Sequence, residues 1–202
     1  MIPRLIIEQK ITAFVNKYTV YQADSTGQKA GLVALAQQKR LAFKEKVSFY
    51  SDESKTQVVF GFRAEKVFDI HGRYFVESPD GQKIGGFSKV FGQSLLISTW
   101  NILDINGDPV IQVKESHVAL AVLRRFIGTI PIFGGLAEII IMLFKYHFDL
   151  VNVRTGEVVG KYQKITLFRD HYLLSVDDAA YSAIDWRTYA AVAVALDALQ
   201  SR

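Results

Sequence analysis

Four histidines, His71, His117, His147 and His171, carry the side chains best suited to holding a metal, and they show no HxH, HxxxH or HExxH spacing. A zinc site would therefore need them to converge in space. The plainer reading makes them strand-end or surface residues. His147, between Tyr146 and Phe148, opens a strand with one face to solvent and the other to the core. No GxSxG, P-loop or GxGxxG pattern appears, and no nucleophile stands beside a base. The glycine-rich GQKIGG (81–86) opens on a turn glycine, and Gly85-Gly86 marks a bulge or close packing. Asp80, Asp104, Asn106 and Asp108 fall at turns, where short polar side chains serve the backbone. The chain has no cysteine, which excludes a disulfide framework, a thiolate zinc site, a catalytic thiol and a palmitoyl anchor. Neither an enzyme nor a cofactor is expected.

The other chemistry on offer is that of charge beside grease. Lys and Arg number 24 against 20 Asp and Glu, a net charge of +4. That excess suits an anionic surface but falls short of a nucleic-acid footprint. The closest approach to a basic block is Lys39, Arg40, Lys44 and Lys46, alternating with apolar residues. Residues 126–144 read FIGTIPIFGGLAEIIIMLF, with Glu138 as the single charge. Three readings compete for residues 118–145. A membrane span needs roughly 20 apolar residues. Extending the run back through Val118–Leu123 puts Arg124 and Arg125 near its middle, and 126–144 alone contains Pro131, Gly134-Gly135 and Glu138. A mid-span acid costs about 2.5–3.5 kcal/mol, and the Pro and Gly-Gly would break the helix. The second reading is internal filler: a strand or short helix over 117–127, a turn at Gly134-Gly135, and a helix over about 136–145 packed on the core. The third is a membrane-surface element. In it Arg124, Arg125 and Lys145 meet anionic headgroups at roughly 1 kcal/mol each, while Phe126, Ile127, Ile130, Ile132 and Phe133 enter the acyl boundary.

These residues hang on a chain built of strands. YTVYQADSTGQKAGLVAL (18–35) turns at Ser25-Thr26-Gly27, and YFVESPDGQKIGGFSKVF (74–91) turns at Pro79-Asp80-Gly81. WNILDINGDPVIQVKE (100–115) turns at Asn106-Gly107, and YHFDLVNVRTGEVVGKYQKI (146–165) turns at Thr155-Gly156. Asp-Gly and Asn-Gly supply the positive φ that tight hairpins need, and β-branched and aromatic residues alternate on either side. VSFYSD (47–52), QVVFGFRAEKVFDI (57–70), HYLLSV (171–176) and the N-terminal segment bring the strand count towards twelve. So many one-sided antiparallel strands close into a sandwich or a barrel. No Pro/Ser-rich linker or low-complexity tract divides them, so residues 1–202 read as one domain. The mean hydropathy of +0.14 is high, and a few apolar runs cause much of it. The last such run is DWRTYAAVAVALDALQSR (185–202), with Asp185 as a plausible helix N-cap. A helix apolar on nearly every face belongs inside something. At about 24 Å it is short for a bilayer.

LIIEQK (5–10), YTVYQADSTG, DGQKIG (80–85), TWNILDINGDPV (99–110), YHFDL…GEVVGKYQK and DHYLLSVD…IDWRTYAAVAVALDAL, in this order, resemble the LURP-one-related proteins. That family is grouped with phospholipid scramblases and the Tubby C-terminal domain, and the resemblance spans nearly the whole chain. It implies a closed, twelve-stranded antiparallel β-barrel around a hydrophobic C-terminal helix, the picture the strand count and the apolar helix reach separately. It also implies lipid-related work: Tubby-like domains bind phosphoinositide headgroups through basic residues, and scramblases are proposed to move phospholipids. The cysteine cluster that acylates scramblases is missing here, and the Tubby headgroup residues have no one-to-one matches. Scramblases are proposed to bind calcium just before the final helix, where this chain carries Asp170, Ser175, Asp177 and Asp178. Hard cations want six to eight oxygens, so Asp170, Asp177 and Asp178 are weak calcium candidates beside turn and cap chemistry for SVDDAAYSAID.

The expectation is a non-enzymatic binding or regulatory module, cytoplasmic and peripheral to a membrane, whose partner is an anionic phospholipid surface. A protein-interaction scaffold with 118–145 internal is the alternative, and a scramblase-like lipid transporter the third. No nucleic-acid partner is expected. The N-terminus MIPRLIIEQKITAF lacks the apolar core and cleavage site of a secretory signal, and oligomeric state is not legible.

Overall fold

The structure, a computed structural model, describes residues 1–11, 15–39, 46–65, 72–90, 99–116, 147–166 and 170–200. Twelve strands follow in order: β1 (Ile2–Ile11), β2 (Val15–Ala23), β3 (Lys29–Lys39), β4 (Lys46–Tyr50), β5 (Val58–Ala64) and β6 (Arg73–Glu77), then β7 (Lys83–Lys89), β8 (Thr99–Leu103), β9 (Pro109–Glu115), β10 (Phe148–Asn152), β11 (Val158–Lys164) and β12 (Asp170–Val176). Two helices end the described chain, α1 (Asp178–Ser182) and α2 (Trp186–Gln200). Each strand pairs antiparallel with its chain neighbours, and β1 pairs with β12 from Ile2↔Val176 to Gln9↔Asp170, which closes the barrel. Closure leaves no end strand without a partner.

Period-2 alternation decides which face looks inward. Val47 and Phe49 on β4, Phe60 and Phe62 on β5, Ile111 and Val113 on β9, and Tyr172, Leu174 and Val176 on β12 are all buried. The turns follow the glycines that the sequence pointed to: Gly27, Gly81, Gly107 and Gly156 all have positive φ. The run expected as a strand over 57–70 contributes β5 over Val58–Ala64, and 66–71 lies outside the described residues.

Helix α2 is sheathed by the sheet. Every residue from Tyr189 to Asp197 is buried. Its side chains meet strands on all sides. Thr188 stands against Gly85 of β7, Trp186 meets Phe60 of β5 edge-on with ring centroids 5.6 Å apart, and Asp197 meets Tyr18 of β2 and Tyr172 of β12. The run AAVAVA (190–195) is small enough for such close approach, and Phe49 stacked on Phe60 at 4.0 Å fills space beside the helix start. Asp185 caps α2 as expected: its carboxylate accepts from the Arg187 backbone N–H at 2.9 Å. Among the described residues no helix is long and apolar enough to cross a membrane.

SVDDAAYSAID, expected as turn and cap alone, contains α1. Ala179 and Ala180 are strong helix formers, and Asp178 in the first turn complements the helix dipole. Tyr189 of α2 donates to the Ala180 carbonyl at 2.8 Å and stacks on Tyr181 at 5.6 Å. Helix α1 is thereby held against the start of α2.

Candidate docking end of the barrel

An antiparallel barrel sorts its connections alternately to two ends. The β2–β3, β4–β5, β6–β7, β8–β9 and β10–β11 turns gather at one end, with α1. The β1–β2, β3–β4, β5–β6, β7–β8, β9–β10 and β11–β12 connections belong to the other.

The first end is built of short polar turns with one recurring device, a carboxylate or amide oxygen that accepts backbone N–H groups two to four residues on. Asp24 accepts from Thr26 at 2.8 Å and Gln28 at 2.9 Å, and Asp104 accepts from Asn106 and Asp108 at 2.9 Å each. Asp52, Asp80 and Asn152 repeat it. The hydrogen bonds, first that of the Thr26 hydroxyl for Asp24 and that of the Asp108 N–H for Asp104, hold these carboxyls below their usual range. This end therefore keeps a collar of carboxylates that stay ionised. None of its five turns contains an aromatic residue.

The second end differs in charge. Lys10 stands directly across from Lys17 in the β1–β2 register, both exposed, and Lys46 lies across from Arg63 in the β4–β5 register. Facing like charges cost stability, and the Arg63 guanidinium turns instead to Glu77, which it holds at 2.8 Å. Inside this end lies a polar cluster. Tyr18 donates to Asp197 at 2.9 Å, Tyr172 donates to the same carboxylate at 3.2 Å, and Gln9 donates to the Tyr18 hydroxyl at 3.3 Å. Burial first, then the Asp197 charge, pushes the Tyr18 hydroxyl pKa up, and the buried Tyr162, whose hydroxyl donates to the Ala193 carbonyl at 3.3 Å, moves the same way. These phenols are held protonated, which suits them to anchoring the end of α2 and not to nucleophilic chemistry.

Segment 117–146 issues from this same end. Glu115 pairs with Phe148, and the Ser116 N–H donates to the His147 carbonyl at 2.9 Å. Arg124, Arg125, Phe126, Ile127, Ile130, Ile132, Phe133 and Lys145 themselves lie outside the described residues. The calcium candidates are divided between the two ends. Asp170 opens β12 and binds Lys164 at 2.7 Å. Asp177 and Asp178 follow the far end of that strand, seven residues or roughly 23 Å away. Asp177 meets the Met1 amino group at 2.7 Å, and Asp178 pairs with Arg4. Among the described residues no three His, Asp or Glu side chains gather into a metal-binding group.

The family model for LURP-one-related proteins matches residues 32–197. The chain belongs to the LURP-one-related family. No curated protein matches this LURP-one-related chain. A crystal structure of an Arabidopsis thaliana protein is similar to it over 96% of this chain and 90% of that one, at 12% identity and a TM-score of 0.47.

The polar cluster had one sequence signal, Asp197 as the only charge from Tyr189 to Leu199 of the apolar helix. Its partners, 179 and 25 residues away, had none.

Proposed function

We propose that this LURP-one-related barrel is a non-enzymatic module that docks peripherally on anionic phospholipid through its second end. The observation that carries the reading combines topology with sequence. All six connections assigned to that end contain phenylalanine: Phe14, Phe43, Phe68, Phe91, Phe168 and, in 117–146, Phe126, Phe133 and Phe144. The same connections carry Arg40, Lys44, Lys66, Arg124, Arg125, Lys145 and Arg169 against Glu45, Glu65, Asp69 and Glu138. The five turns of the opposite end have carboxylates and no aromatic. Aromatic and branched apolar side chains favour the acyl boundary, and cations beside them favour anionic headgroups. Arg124, Arg125 and Lys145 would contact the headgroups, with Phe126, Ile127, Ile130, Ile132 and Phe133 inserting.

Co-sedimentation with vesicles of phosphatidylserine and phosphatidylcholine tests this. Binding is expected to rise with the anionic fraction and to weaken with salt. Arg124→Glu/Arg125→Glu should lower it by at least about thirtyfold, at about 1 kcal/mol per lost cation. Arg154→Glu, in the β10–β11 turn of the opposite end, should leave it unchanged. Equal binding to neutral vesicles, or indifference to the double charge reversal, rejects the reading.

A further inference from the structure

The asparagines of the chain have different followers. Asn16, Asn101 and Asn152 precede lysine, isoleucine and valine, whereas Asn106 precedes glycine. An asparagine side chain is open to attack by the backbone nitrogen of the next residue, and a glycine there has no Cβ to obstruct the approach. Asn106 and Gly107 lie in the β8–β9 turn, Asn106 exposed and Gly107 buried.

The turn holds this pair away from reaction. The Gly107 N–H donates to the Asp104 carbonyl at 3.1 Å, the Asp104 N–H donates to the Asp108 carbonyl at 2.9 Å, and Gly107 has φ +93°. This is the pattern of a type I turn followed by a left-handed glycine, which sets the Asn106 ψ at about 0°. Closing a five-membered ring requires that angle to swing far away and the Gly107 nitrogen to give up its proton. The hydrogen bond to Asp104 opposes both. The Asp104 carboxylate reinforces the turn by accepting from the Asn106 and Asp108 N–H groups at 2.9 Å each, and Arg73 ties it to β6 by donating to the Gly107 carbonyl at 3.2 Å. Breaking these bonds is a local opening, separate from global unfolding.

Asp80-Gly81 in the β6–β7 turn has the same geometry, with Gly81 at φ +85° and its N–H on the Ser78 carbonyl at 2.9 Å. Its chemistry is slower. The Ser78 hydroxyl, then the Gln82 N–H, hold the Asp80 carboxyl below the usual range, so it stays ionised and is a poor electrophile. The Asn106 amide carries no charge to protect it.

We infer that Asn106 is a site of spontaneous covalent modification, guarded by the β8–β9 turn and converted to aspartate and isoaspartate when that turn opens. The Gly107 nitrogen bonds to the side-chain carbonyl carbon of Asn106, the bond from that carbon to Nδ2 breaks, and the Gly107 proton ends on the departing ammonia. Water then opens the cyclic imide at either carbonyl. The isoaspartate product lengthens the backbone by one methylene, about 1.5 Å, so the closure between Asp104 and Asp108 is lost. Either product adds a carboxylate between those two. The conversion runs one way and marks a molecule whose first end has opened. It takes place at the end opposite the proposed lipid contact and is independent of that reading.

The test incubates the intact chain at mildly alkaline pH, folded in buffer and unfolded in guanidinium chloride. Peptide mass spectrometry reads the amide-to-acid mass gain at each asparagine, and chromatographic retention separates isoaspartate from aspartate. Asn106 should convert ahead of Asn16, Asn101 and Asn152, at least about tenfold faster unfolded than folded. Asp104→Ala, which removes the acceptor of two turn N–H groups, should speed conversion of the folded chain at least about threefold. Amide exchange at Gly107 of the unaltered chain gives a second reading and should be slowed at least about tenfold against the unfolded chain. Four results overturn the inference: equal conversion rates folded and unfolded, another asparagine converting first in the unfolded chain, a folded Asp104→Ala chain no faster than the original, or an unprotected Gly107 amide.

Discussion

Gly85→Ala tests the packing of the helix inside the barrel. Gly85 faces inward on β7 opposite Val76. A Cβ there would lie 2.5 Å from the Thr188 hydroxyl, 3.2 Å from its methyl and 3.3 Å from the Leu103 carbonyl oxygen. Turning Thr188 relieves the contact only in part, because a β-branched side chain on a helix has few open χ1 states and the Leu103 carbonyl stays in place. Overpacking of this kind costs about 1–3 kcal/mol. Replacing glycine recovers about 0.4–1 kcal/mol by narrowing the unfolded ensemble. The net loss is about 0.5–2 kcal/mol, or roughly 1–8 °C in Tm for a chain of this size. Thr188→Ala alone should be close to neutral, since its buried hydroxyl has no hydrogen-bond partner among the described residues. The double variant should recover at least about 1 kcal/mol of coupling. Urea unfolding followed by tryptophan fluorescence reads this directly, because both tryptophans, Trp100 and Trp186, lie in or against the core. A neutral Gly85→Ala, or strictly additive effects, would show that α2 does not press on β7 and would sink the reasoning.

Alkaline stability should fall once the pH passes 10. Tyr18, Tyr162 and Tyr189 all have raised pKa values against the usual 10.0, chiefly through burial, so above that pH the unfolded chain ionises where the native one does not. Absorbance at 295 nm should show tyrosines that titrate only with unfolding, and Tyr18→Phe should flatten the loss; full titration of an intact fold refutes it. On the acid side, Asp24, Asp52, Asp80 and Asp104 have depressed pKa values, so their contribution is present above the usual 3.8 and disappears as the pH drops below it. Asp104→Asn, which keeps the turn's acceptor without a charge, should reduce that acid slope in urea titrations at pH 2–5. Phe60→Ala, which deletes a fully buried ring stacked on Phe49 and touched by Trp186, should cost about 3–5 kcal/mol by denaturant unfolding.

The twelve strands, the glycine turns and the buried helix were legible because neighbouring residues encode them. Alternation along β4, β5, β9 and β12 names an inner face whatever the strand pairs with. Gly27, Gly81, Gly107 and Gly156 take their positive φ from local turn geometry. An apolar run that begins at the Asp185 cap and stays apolar on every side has nowhere to go but inside.

Only the tertiary structure decided what meets what. Asp170 and Asp177 look close in sequence, yet a strand's length separates them, while Asp197 finds Tyr18 from the other end of the chain. The five carboxylate- and amide-bearing turns are scattered through the sequence, and alternating strand direction alone brings them to one end. Short-range preferences act between adjacent residues, whereas register and closure arise from contacts across the whole chain, so the elements could be read from the sequence and the two faces of the molecule could not.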